Sequence, residues 1–201
     1  MIKFLLLLVL AATLSANTIN IFSGDGINEF NSSSGNNVLI TPHPAWATPY
    51  AGSAWISSGD TGFNGTVIPN SVLPWVSFFE TFYVPSDAFG TISVYADDTA
   101  AVWLDGVLLT PASFTPAAAC ATPHGCVPST GWTINFGAES GNHVLQFGLF
   151  QLAGATTGLD YAGTVSYRGD IAPTPEPGSM GACALAIAGL IYFARKRSAT
   201  V

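Results

Sequence analysis

The sequence predicts an all-β protein: a single antiparallel β-sandwich, jelly-roll-like, held between two apolar ends. Three observations lead there. Apolar and polar residues alternate at period two over short segments, tight-turn sequences separate those segments, and no stretch between the ends keeps a helical period.

The N-terminal end comes first. Met1-Ile2-Lys3 supplies one positive charge, residues 4–14 an apolar run, and Ser15-Ala16 small residues. That is the layout of a secretory signal peptide over 1–16, with cleavage after Ala16. Residues 17–172 then form the working domain, long enough to bury a core without a metal or a disulfide.

Within it, segment 75–84 places Val76, Phe78, Phe82 and Val84 on one strand face, with Glu80 interrupting them and Pro85 ending the run. Ile92, Val94 and Ala96 alternate with Thr91, Ser93 and Tyr95. Segments 102–109 and 144–152 are further apolar stretches; 38–41, 53–57, 132–136 and 161–167 are shorter ones. Turn chemistry falls between them at Ser58-Gly59-Asp60, Phe63-Asn64-Gly65, Asp105-Gly106 and Ser140-Gly141-Asn142. About eight or nine short strands at this spacing read as a sandwich.

The C-terminal end has three parts. Residues 173–178 are a proline-rich linker. Residues 179–194 carry no charge and spread their apolar side chains around the whole helical circumference, the mark of a membrane-spanning helix. Arg195-Lys196-Arg197 then opens a basic tail, 195–201, which the positive-inside rule places in the cytoplasm, so the domain lies outside.

Charge narrows the partners. Of the five Lys and Arg, Lys3 lies in the leader and Arg195, Lys196 and Arg197 in the tail, which leaves Arg168 alone against every Asp and Glu except Glu176. Such a domain repels phosphate backbones and anionic lipid surfaces, so nucleic acid is excluded as a partner. Neutral glycans and cations remain compatible.

Chemistry-bearing residues are few. Asp97, Asp98 and Asp105 cluster in sequence and are candidate Ca²⁺ ligands, although no calcium-loop spacing is present and the same residues serve equally as turn formers. His43, His124 and His143 are too scattered for a metal motif, and no nucleophile elbow, phosphate loop or His-Glu-x-x-His occurs, so no catalytic residue and no cofactor is expected. Cys120 and Cys126 flank five residues and, in an exported chain, are expected to form a disulfide; Cys183 falls in the span. Of Trp46, Trp55, Trp75, Trp103 and Trp132, at least three are expected in the core. Trp46, in a Pro-Ala-Trp loop, and Trp103, opposite in phase to Val102 and Leu104, are the candidates for stacking on a sugar.

Two resemblances add to this. Pro175-Glu176-Pro177, the following span and the basic cluster Arg195, Lys196 and Arg197 together resemble the PEP-CTERM sorting signal of exported proteins of Gram-negative bacteria. The resemblance covers about the last eighth of the chain. It implies an exosortase-like membrane enzyme acting at or near Glu176, an inner-membrane-anchored precursor, and delivery to the cell surface or extracellular matrix.

Residues 94–108, in which a strand ends at Asp97-Asp98 and the next carries Trp103 before Asp105-Gly106, resemble the central hairpin of galactose-binding-like jelly rolls. Residues 141–149 resemble a late core strand of that fold. Such folds host several functions. The reading is therefore a non-catalytic surface or matrix protein binding neutral exopolysaccharide, the alternative being a secreted carbohydrate-active enzyme or its accessory carbohydrate-binding module.

Overall fold

The computed structural model describes residues 16–63, 65, 73–114, 125–152 and 156–168. The leader before Ala16, the Pro-Glu-Pro linker, the apolar span, the basic cluster, Cys120, Cys183 and His124 lie outside them.

Eleven strands run in order β1 (Ala16–Phe22), β2 (Glu29–Asn31), β3 (Val38–Leu39), β4 (Ile56–Ser57), β5 (Val76–Val84), β6 (Ala88–Asp97), β7 (Thr99–Leu104), β8 (Val107–Thr110), β9 (Trp132–Ala138), β10 (Gly141–Phe150) and β11 (Gly158–Arg168). They form two antiparallel sheets, and no described residue is helical. One sheet has the order β3-β4-β11-β6-β9, with β1 sharing the β4 edge of β11; the other has the order β2-β5-β10-β7-β8. The predicted sandwich is thus present. β1 and β2 were not among the expected strands: β1 starts at Ala16, the last residue of the expected leader, and β2 is only three residues long, too short to display a period.

Alternation sets which side of each strand is buried. Val76, Phe78, Phe82 and Val84 of β5 face inward, as do Ile92, Val94 and Ala96 of β6 and Leu145, Phe147 and Leu149 of β10. Glu80 holds the third of the five inward positions of β5 and is 5% exposed. It is tolerated because Tyr161 of β11, in the opposite sheet, donates its hydroxyl to Glu80 Oε2 at 3.0 Å, while the Tyr161 ring stacks on Phe147 at 4.4 Å. The carboxyl is pushed up to about 8 by burial and by the neighbouring Asp25 and Glu29 charges, against the opposing Tyr161 hydrogen bond.

The structure departs from the expected hairpin at Asp97-Asp98. Asp97 and Asp98 do not join two strands of a hairpin: β6 belongs to the first sheet and β7 to the second, so the pair forms the corner at which the chain changes sheets. The Asp98 carboxylate accepts from the Leu152 amide at 2.6 Å and Asp97 accepts from the Thr156 hydroxyl at 3.1 Å, both distant in sequence, which fastens the corner to the β10–β11 connection. The hairpin that does form is β7–β8. Asp105 and Gly106 both take positive φ, 51° and 80°, the conformation that a two-residue turn between antiparallel strands requires.

A second, smaller cluster of Ile40, Trp46, Trp55 and Cys126 covers part of the outer side of the first sheet, with Tyr95 of β6 packed against it.

Glu80 yields a prediction. Its folded value lies above its unfolded one, so its contribution is present below about pH 4.5 and is lost as pH rises toward 8. Glu80→Gln is expected to leave stability at pH 5 nearly unchanged and to raise it relative to the parent at pH 8 to 9 in urea titrations, flattening the alkaline decline.

Candidate functional site

The outer face of the second sheet follows from the same alternation. With Phe78, Phe82, Phe147 and Val102 turned inward, the intervening residues must turn out. Cross-strand register then lines up one position from each of five strands: Phe30 of β2 opposite Phe79 of β5, Phe79 opposite Gln146 of β10, Gln146 opposite Trp103 of β7, and Trp103 opposite Leu108 of β8. At the usual strand separation this row crosses roughly 20 Å of sheet.

The row is apolar and partly open. Phe30 is 41% exposed and Leu108 49%, and the rings of Phe30 and Phe79 lie nearly parallel at 4.9 Å. Gly148 gives Trp103 its place: a Cβ there would stand 2.9 Å from indole Cζ3 and 3.1 Å from Pro74 Cγ, so the indole lies over a backbone without a side chain. The flanking outward positions are Ser77, Gly148 and Ala101 on one side and Thr81 and Val144 on the other, small or medium in size. Gln146 is the polar member, its amide 3.4 Å from the Ser77 hydroxyl. None of the five row positions is charged; the nearest carboxylate is that of Asp105, beside the flanking Val144. A depression of about 370 Å³ lined by Asn28, Thr81, Tyr83, Asn142 and Val144 adjoins it.

The hairpin that carries Trp103 and Leu108 is anchored at its turn. Asp105 Oδ1 accepts from the Val144 amide at 2.8 Å, and Oδ2 lies 2.7 Å from His143 Nδ1. His143 Nε2 in turn lies 2.7 Å from the Glu139 carbonyl oxygen, so both ring nitrogens face acceptors and the imidazolium satisfies both. Burial lowers the His143 value, but the Asp105 carboxylate and the Glu139 carbonyl outweigh it and hold it above the ordinary histidine range.

The outer face of the first sheet differs. Thr18, Ser166, Thr91, Asn135, Ser93 and Thr133 project there, and they bond to one another across strands, as in Thr91–Asn135 at 3.0 Å and Ser93–Thr133 at 2.8 Å. It is a hydroxyl-rich surface with its groups mutually engaged.

Of the sequence candidates, Trp103 stands in the aromatic row. Trp46 does not offer a stacking surface: it is 8% exposed, 4.4 Å from Trp55, and its ring fills the space left by Gly158. Its loop folds back onto the first sheet because the Ala47 amide donates to the Cys126 carbonyl and the Trp55 indole N–H donates to the Ala47 carbonyl. Trp55 is buried in the same smaller cluster, and Trp75 and Trp132 are partly buried against the main core.

The three calcium candidates do not converge. Asp105 stands at the opposite end of β7 from Asp97 and Asp98, and no group of three or more His, Cys, Asp or Glu among the described residues could hold a metal ion. Burial, then the adjacent Asp98, pushes the Asp97 carboxyl up to about 8, so it is largely uncharged at neutral pH. Cys126 is buried and disulfide-bonded; its expected partner, Cys120, lies outside the described residues. Pro175, Glu176, Pro177, Arg195, Lys196 and Arg197 also lie outside.

Sequence reasoning missed Phe30 and Phe79. Phe79 was legible as the odd phase of 75–84, where Ser77, Phe79, Thr81 and Tyr83 alternate with the core set. Phe30 sits in a strand too short to read.

Comparison with known proteins gives only distant likenesses. No family model matches the chain, and no curated protein does. Among solved structures, a family 35 carbohydrate binding module from Clostridium thermocellum is 12% identical over 73% of this chain and 97% of its own, with a TM-score of 0.40. CBM35 from Cellvibrio japonicus Abf62 is 12% identical over 78% and 99%, at 0.39. The Podospora anserina GH26-CBM35 β-(1,4)-mannanase is 10% identical over 78% of this chain and 29% of its own, at 0.38.

Two outcomes are expected from this geometry. Gly148→Ala should lift the Trp103 indole off the sheet and increase its acrylamide quenching, read as the difference from the same protein carrying Trp103→Phe. Asp105→Asn should lower the His143 titration midpoint, followed by proton chemical shift. The His143 contribution to stability is present below about pH 6.5 and is lost as pH rises through the raised folded value.

Proposed function

We propose that this chain is a non-catalytic exported protein that binds neutral polysaccharide through the aromatic row Phe30-Phe79-Gln146-Trp103-Leu108. The observation that carries this reading is that the row is mostly aromatic, partly open and itself uncharged. Pyranose rings present flat C–H faces that pack on aromatic rings, and their hydroxyls bond to side-chain amides such as that of Gln146. An acidic chain with Arg168 as the sole Lys or Arg in the predicted working domain, residues 17–172, has nothing with which to hold an anionic polymer. The non-catalytic part is supported by the state of the buried acids. Glu80, Asp97, Asp98 and Asp160 are each 5% exposed or less and engaged in hydrogen bonds that tie strands and loops together.

The export part rests on the sequence. The leader and the tail organised around Pro175, Glu176 and Pro177 support a precursor anchored in the inner membrane, processing by an exosortase-like enzyme, and a mature domain at the cell surface or in the matrix. Calcium has no place in this reading.

Affinity electrophoresis through gels cast with neutral polysaccharides, including the extracellular polymer of the producing cells, tests the binding. Retardation by at least one neutral polymer is expected, reduced about tenfold in apparent affinity by Trp103→Ala. The same mobility with and without every polymer would overturn the reading. For the sorting part, the mass of the protein recovered from the cell surface is expected to give termini near Asn17 and near Glu176.

A further inference from the structure

We infer that the aromatic row is built for a packed, insoluble array of neutral polysaccharide chains rather than for a single dissolved chain. This deepens the glycan-binding reading above and rests on it.

Three features of the face point that way. First, among the described residues the strand positions that flank the row, Ser77, Gly148, Ala101, Thr81 and Val144, are small or medium, so apart from Pro74 over Gly148 and Asp105 beside Val144 the row stands as a ridge. A dissolved chain on such a ridge would keep its sides in water and would also lose its torsional freedom on binding, a cost that apolar contact along one face offsets poorly. In a packed array the chains are already straight and immobile, so that cost is absent.

Second, the row runs across the strands for roughly 20 Å, one side chain per strand. A rigid sheet fixes that spacing, which suits a rigid and repetitive partner. Both ends are anchored: Phe30 by its stack on Phe79, and Leu108 by the β7–β8 turn that Asp105 ties to Val144 and His143.

Third, hydrogen-bonding groups are sparse. Gln146 is the single amide in the row and is already near Ser77. A site for a dissolved oligosaccharide replaces the water bound to each hydroxyl, and the row itself has too few donors and acceptors to do so. In a packed array most hydroxyls are bonded to neighbouring chains, and what is presented outward is largely C–H. A second copy of this chain is the competing occupant. The formal charge of −7 sets copies against one another, and the face supplies no cation to offset that repulsion.

The test compares one chemistry in two physical states. The full chain is mixed with microcrystalline cellulose and depletion from the supernatant is measured; in parallel, cellohexaose in solution is titrated calorimetrically. Binding to the solid with no heat from the hexasaccharide is expected, insensitive to added salt. Phe79→Ala and Trp103→Ala should each weaken the partition about tenfold. Phe30→Ala and Leu108→Asn, at the more exposed ends of the row, should each weaken it by a smaller factor while the cooperative unfolding transition is retained.

Saturable binding of cellohexaose at least as tight as binding to the solid would overturn the packed-array inference while leaving glycan binding in place. Binding to neither, with the gel assay also blank, would remove both. Concentration-dependent dimerisation abolished by Leu108→Asn would overturn the inference in favour of self-association.

Discussion

Everything in this sandwich depends on Tyr161. From β11 in one sheet it crosses to the other, stacks on Phe147 of β10, and places its hydroxyl on Glu80 of β5, so a single side chain joins three strands in two layers. The hydroxyl also lies 3.3 Å from Glu29 Oε2, and Glu29 itself accepts from the amides of Gly24 and Gly26. The chain that leads into β2 is thereby positioned from the core outward. A buried carboxyl facing a phenol in this way is expensive if either partner is removed, because the survivor is left in a low-dielectric interior without a bond.

The placement of the aromatic face follows from that contact. Strand periodicity is two, so whichever residue of β10 meets Tyr161 also decides which residues face away from it. With Phe147 committed inward, Gln146 must be outward, and register carries the same choice to Phe79, Trp103 and Leu108. A slip by one residue would turn the row into the core and expose Phe78, Phe147 and Val102. The large apolar core of inward side chains opposes that slip.

What the sequence disclosed and what it hid divide along physical lines. The long strands announced themselves, since 75–84 and 144–152 alternate over enough residues for the period to be unmistakable, and the Asp105-Gly106 turn is specified by its own φ requirements. Trp103 could be placed on the opposite phase from Val102 and Leu104 without knowing which phase was wet. By contrast, Trp46 looked exposed because its neighbours are a loop; its burial depends on Gly158 and Trp55, which are far away in the chain. Asp97 and Asp98 looked like hairpin-turn formers, whereas the corner they form is tied to Leu152 and Thr156 by tertiary bonds that no local pattern encodes. The aromatic row is the plainest case, since its five members come from five strands and meet only through register.

Arg168 closes β11, where its backbone pairs with Ala16 at the start of β1, and from Asn17 to Tyr167 the chain contains neither lysine nor arginine. An enzyme that cuts after basic residues therefore has no site within the sandwich. Between Lys3 and the basic cluster at Arg195 it could act only after Arg168, the last residue of β11, and would leave the lobe as one fragment. Amine-directed labels would likewise find no lysine on the lobe itself, so a protein of this construction is inconspicuous to both trypsin digestion and lysine chemistry, whatever its abundance.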